Sequence, residues 1–206
     1  MLMMYSRRFL NTARTMFVVT ILVLVSVVGA NVNSTSSELG PGSSRMAWLK
    51  GLLDHHEWLQ LLNGNVTIPP QCETDLRQYV TALNEGRLWA SKIQDASGQY
   101  STNVLFGNEY WMGSQNACRD LQLTQYYAQT PPFPTTFYVA KINLTIDAEH
   151  LPQSRLMLVG QCSPASCSPA AMEAVLAAAE TAASARAAAA GIAASMHTLY
   201  VRPVPG

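Results

Sequence analysis

A chain of 206 residues is long enough for one domain with a genuine core, and its 13 basic against 13 acidic side chains leave no basic footprint for nucleic acid. Three of the basic residues, Arg7, Arg8 and Arg14, lie in the first 30 residues, which hold no acid, so the remainder carries ten basic against 13 acidic groups. No polybasic stretch suits an anionic lipid surface.

The chain opens with those arginines, then Met16–Val28 (MFVVTILVLVSVV), almost free of polar groups, then the small residues Gly29-Ala30. A basic start, a short apolar run and a small-residue end describe a secretory signal over residues 1–30. The run is shorter than the roughly 20 residues a bilayer crossing needs; an uncleaved signal anchor is the alternative. The expected location is therefore secreted, or on the extracellular or lumenal face of a membrane. Residues 31–44, rich in Ser, Thr, Asn and Gly, read as a flexible leader.

From 45 to 201 the pattern predicts one α+β domain: disulfide-stapled, extracellular and helix-rich, with a small β-sheet. Arg45–Asn63 places Trp48, Leu52, His55, Leu59 and Leu62 at helical spacing, and Asn63-Gly64 supplies a stop. Pro69-Pro70 breaks the chain. Thr74–Glu85 forms the next helix, with Leu76, Tyr79, Val80 and Leu83 on one face. After Gly86, Leu88–Ile93 resumes as a shorter helical turn, closed by Asp95-Ala96-Ser97-Gly98. Tyr100–Gly113 reads as short irregular strands or loop. Phe137–Ile146 is the strongest strand, Leu156–Val159 a short second one, and Gly160–Ser168 a turn. Ser168-Pro169 looks like a helix cap with proline in the first turn. The helix expected over 169–196 holds fifteen alanines up to Ser195, with Met172, Val175, Leu176 and Ala179 as a modest apolar face and little to bury beyond Ala182. Leu199-Tyr200-Val201 is a candidate strand, and 202–206 a tail.

Cys72, Cys118, Cys162 and Cys167 form an even set, which in an oxidising compartment favours two disulfides over a metal site. Cys162 and Cys167 lack the companion ligands zinc needs. Of the three possible pairings, Cys72–Cys118 with Cys162–Cys167 is the expected one, although loop entropy, worth about 4 and about 2 kcal/mol for these closures, does not choose among them. Asn33-Ser34-Thr35, Asn65-Val66-Thr67 and Asn143-Leu144-Thr145 are acceptor sequons for N-glycosylation and point to the same compartment.

His55-His56-Glu57 is no metal motif, because adjacent helical residues diverge. Ser97 lacks a nucleophile elbow and reads as a turn former. His150 and His197, in a loop and at a helix end, have no recognisable partner. Tyr79, Trp89, Tyr100, Phe106, Tyr110 and Trp111 are core aromatics or, as a functional alternative, the lining of a hydrophobic pocket. No cofactor and no metal is expected.

Several segments occur in a telling order: Cys72-x2-Asp75-Leu76; Leu88-Trp89-Ala90-x-Lys92-x2-Asp95-Ala96-Ser97-Gly98; Gly107-Asn108; Gly113 leading to Cys118; and Leu158-x-Gly160-x-Cys162-x-Pro164-x2-Cys167-Ser168. Together they resemble the N-terminal domain of nose-resistant-to-fluoxetine proteins, over roughly Cys72–Val201, with the motif core at 72–168. The resemblance implies an extracytoplasmic domain that usually precedes a multi-span region like the acyltransferases that modify sugars and lipids, in proteins linked to movement of lipids and hydrophobic drugs. Val139 stands where such proteins often carry a cysteine after a tyrosine, and the alanine tract departs from the family pattern. No membrane region follows Val201, so a stand-alone secreted form, a truncated reading frame and a fragment are all expectations. The expected function is a non-catalytic module that binds a lipid or other hydrophobic small molecule, or that regulates a membrane acyltransferase-like domain. A secreted structural or protein-interaction domain without ligand is one alternative, and a fragment of a membrane O-acyltransferase-like enzyme another.

Overall fold

The structure, a computed structural model, describes residues 54–64, 66–99, 107–123, 129–147 and 154–205. The signal segment, the leader, the first half of the Arg45–Asn63 helix, Asn33, Asn65, Tyr100, Phe106 and His150 lie outside them.

A single 3-10 turn, His55–Glu57, starts where the Asp54 carboxylate accepts from the His56 backbone N–H. It runs into α1, Trp58–Leu62, which buries Trp58 and Leu62. Helix α2 spans Pro70–Asn84, four residues earlier than the apolar pattern indicated. Pro70 explains the extension, since a first-turn proline has no N–H to leave unsatisfied. Cys72, Leu76, Tyr79, Val80 and Leu83 face the core. Gly86, with φ +71°, ends this run before α3, Leu88–Ala96. Strand β1 is Tyr110–Trp111, and α4, Gln115–Asp120, begins where the Ser114 hydroxyl accepts from the Ala117 N–H.

Strands β2 (Thr135–Asp147), β3 (Arg155–Pro164) and β4 (Ala193–Pro203) complete a sheet of order β1-β3-β2-β4. The β2–β3 and β2–β4 pairs are antiparallel, and β1 joins β3 in parallel. Among the described residues this makes an α+β fold of five α-helices on a four-stranded sheet. Tyr138, Ala140, Ile142, Leu144 and Ile146 alternate onto one face of β2 and are all buried there, with Met157 and Val159 of β3 and Met196 and Val201 of β4. Helix α5, Pro169–Ala189, packs on β4. Ser168 caps it through the Ala171 N–H, as the Ser-Pro pair indicated.

Several expectations need correction. The turn placed at Gly160–Ser168 shrinks to Ala165–Cys167, because Gly160–Pro164 continues β3 along β2. Helix α5 stops at Ala189 rather than running to Met196. Gly191 takes φ +71° and Ile192 N–H returns to the Ala187 carbonyl, a helix-ending motif that redirects the chain into β4. The second half of α5 also packs, since Ala179, Ala183 and Ala187 are buried at four-residue spacing. An alanine stripe brings a helix close to a sheet without bulk. His197 consequently sits exposed in β4, not at a helix end.

The cysteine pairing differs as well. Cys72 of α2 bonds Cys167, and Cys118 of α4 bonds Cys162 of β3. Cys162, on the same face of the sheet as Phe137, turns toward α4, whereas Cys167 sits beyond the turn at the start of α5, against α2. The two close cysteines therefore hold different helices, Cys162 fastening α4 to β3 and Cys167 fastening α2 to the start of α5.

Candidate functional site

The motif residues converge on a backbone crossing. The end of α3, the link between β1 and α4, and the middle of β3 meet there. Gly98 N–H donates to the Gly160 carbonyl at 2.7 Å, and Ser114 N–H donates to the Ala96 carbonyl at 2.8 Å. A Cβ on Gly98 would lie 1.6 Å from the Trp111 carbonyl oxygen, one on Gly160 would lie 2.0 Å from that of Met112, and one on Gly113 would lie 2.3 Å from that of Ala96. Three chains touch main chain to main chain, which only glycine permits. Ser97 is part of this knot. Its buried hydroxyl donates to the Ile93 carbonyl and accepts from the Cys162 N–H at 2.9 Å, tying α3 to β3. Its proton and lone pair are committed to backbone, so it has the bonding of a structural serine.

A second cluster lies on the other face of the sheet. His55 is 1% exposed, with Nδ1 2.6 Å from the Tyr79 hydroxyl and Nε2 2.6 Å from Gln161 Oε1. With the amide oxygen accepting, Nε2 carries the ring proton and Nδ1 accepts from Tyr79. Trp58 lies against the imidazole, ring centres 4.1 Å apart. Burial drives the His55 pKa from 6.5 down to about 4 and holds the Tyr79 hydroxyl well above its ordinary value, so both groups are neutral. Nearby, Tyr138 donates to the Cys167 carbonyl, and Ser166 and Gln71 donate to the Asp75 carboxylate. Trp58 Nε1, Gln161 Nε2 and Ser163 Oγ are buried without a hydrogen-bond partner. His56 points the other way, 2.6 Å from Asn84 Oδ1. The adjacent histidines thus diverge, and no group of three metal-ligating side chains occurs among the described residues.

Among the described residues, the opposite face of the sheet is covered only toward α3 and α4, where Phe137, Gly160 and Cys162 are buried. Its other end carries a row across all four strands at paired register: Tyr110, Leu158, Lys141 and Tyr200. Tyr110 is 61% exposed, and the Arg202 guanidinium lies 4.4 Å from the centre of the Tyr200 ring. One row further along, Leu156, Asn143 and His197 stand side by side.

Of the aromatics expected to line one pocket, the four that are described, Tyr79, Trp89, Tyr110 and Trp111, lie in separate places. Tyr79 belongs to the His55 cluster. Trp89 of α3 stands edge-on to Phe133 at 5.7 Å. Trp111 is buried and Tyr110 exposed, as alternation along β1 requires. A cleft of about 110 Å³ is lined by Gln115, Arg119, Thr135, Thr136, Phe137 and Val204, none of them in that set. The outward row was missed although Lys141, Asn143 and Thr145 announce it, alternating with buried neighbours along β2.

No described helix is long and apolar enough to cross a membrane. No curated protein and no solved structure matches the chain. The family described as nose resistant-to-fluoxetine protein, N-terminal domain, matches residues 72–176, which include both disulfides, the glycine crossing and β1 to β3. With half of its length covered by that match, the chain belongs to the nose resistant-to-fluoxetine N-terminal domain family.

Proposed function

We propose that this chain is a non-catalytic extracytoplasmic module, directed there by residues 1–30, that holds a lipid or similar hydrophobic molecule on the open end of its sheet. One observation carries the reading: Tyr110 and Leu158 lie side by side and face outward, with exposed Met112 just beyond them. Apolar side chains at the surface of a disulfide-held sheet offer contact area, with Tyr110 ordering at low entropic cost. Lys141, Arg202 and the Tyr200 ring border the patch and suit the polar end of an amphiphile. Two disulfides fit an oxidising compartment. The non-catalytic part rests on chemistry, because His55 and Ser97 have their reactive atoms engaged inside the fold.

A second reading is favoured by shape. A pleated sheet face is flatter than the concave sites that hold small molecules, so the same patch suits a membrane acyltransferase-like domain or another protein. Delipidated protein incubated with a lipid extract, re-isolated and analysed by mass spectrometry distinguishes them. Retained lipid, lost in Tyr110→Asp, supports the first reading. Protein that retains nothing overturns it and leaves the protein-docking reading.

A further inference from the structure

We propose that Asn143 carries an N-linked glycan, and that this glycan covers the half of the open sheet face next to the Tyr110–Leu158 patch. The proposal rests on the secretory entry argued above and adds a modification site to it. Asn143 lies in β2, in the middle of the sheet, between Leu156 of β3 and His197 of β4. Thr145 follows two residues later, so strand alternation places both on the same outward face. The intervening Leu144 is buried against the core. The acceptor amide and the hydroxyl that assists its glycosylation therefore both remain at the surface of the finished fold. Asn143 is half-buried, and its Oδ1 lies 2.6 Å from the Ser154 hydroxyl in an exposed setting.

The surroundings suit a sugar. Leu156, directly opposite, is 40% exposed, and His197 and Ser195 on the other side present polar groups. A first sugar ring on Asn143 sets its apolar face over Leu156, which lies within about 5 Å across a strand pair. In the transfer, Asn143 Nδ2 attacks the anomeric carbon of a lipid diphosphate-linked oligosaccharide. The C–N bond forms as the C–O bond to diphosphate breaks, one amide proton is lost, and the lipid diphosphate leaves. Buried Leu144 allows this addition without disturbing the core.

The test uses the full chain made in an animal secretory cell line. Peptide N-glycosidase treatment in heavy-oxygen water marks each occupied site as labelled aspartate. The expected result is label at Asn143, absent in Thr145→Ala and restored in Thr145→Ser. Protein secreted with no free thiols but with Asn143 unlabelled overturns the glycan and leaves secretion standing. Protein with four free thiols and no label at Asn33, Asn65 or Asn143 overturns both.

Discussion

His55 and Gln161 are 106 residues apart in the chain, yet the imidazole Nε2 and the amide oxygen meet at 2.6 Å inside the core. This contact fastens the turn before α1 to the middle of β3, and burial around it holds the ring neutral. Above pH 6.5 the histidine is uncharged in both folded and unfolded states. As pH falls from 6.5 to about 4, the unfolded chain binds a proton that the folded chain refuses, so stability drops. The full window is worth about 3 kcal/mol. Urea unfolding at pH 7 and pH 4.5 should show this loss, and His55→Gln should remove most of it; an unchanged slope in the variant would assign the pH sensitivity elsewhere.

The glycine crossing predicts a sharp contrast between positions. Gly98→Ala forces a methyl into the Trp111 carbonyl, and folded protein should not accumulate. Gly86→Ala meets nothing within 4 Å and suffers only the left-handed backbone penalty, roughly 1–2 kcal/mol. Ser97→Ala strips the Cys162 N–H of its acceptor and should cost about 1–3 kcal/mol. Secretion yield and thermal melting measure all three.

Peptide mapping without reduction should recover Cys72 joined to Cys167 and Cys118 joined to Cys162. Replacing either pair with serine should cost about 2–5 kcal/mol in denaturant midpoints. Recovery of a Cys162–Cys167 peptide from the native protein would contradict the fold.

Along α5, the alanines differ in consequence. Ala183→Leu pushes two-carbon-longer branches into the contact with β4 and should destabilise by about 1–3 kcal/mol. Ala185→Leu, on the exposed side, should stay within about 0.5 kcal/mol of the parent. Equal effects would mean that this end of the helix does not pack.

Much of the scaffold was legible because its signals are local. Alternation marked β2, helical spacing marked α2, and Ser168-Pro169 marked the start of α5. What escaped depends on partners distant in the chain. Ala193–Met196 has poor strand propensity and is strand only because β2 offers an edge. Helix α4 is a single capped turn anchored by Cys118, too short for periodicity. The disulfide pairing follows from Cys162 facing α4 from within β3 while Cys167 lies past the strand end against α2, which spacing does not encode. The aromatic residues were visible as a group but not as separate locations, since burial and exposure alternate within two positions at Tyr110 and Trp111. The family motif was readable, and its structural meaning was not: Gly98, Gly113 and Gly160 mark contact between main chains.

Both crosslinks join a cysteine from the first part of the chain to one of a pair that emerges much later during synthesis. Before Cys162 leaves the ribosome, Cys72 and Cys118 have only each other as oxidation partners, and any bond formed then must be exchanged afterward. Maturation of this domain therefore depends on delayed oxidation or on an isomerase, and its yield in a host should track isomerase capacity.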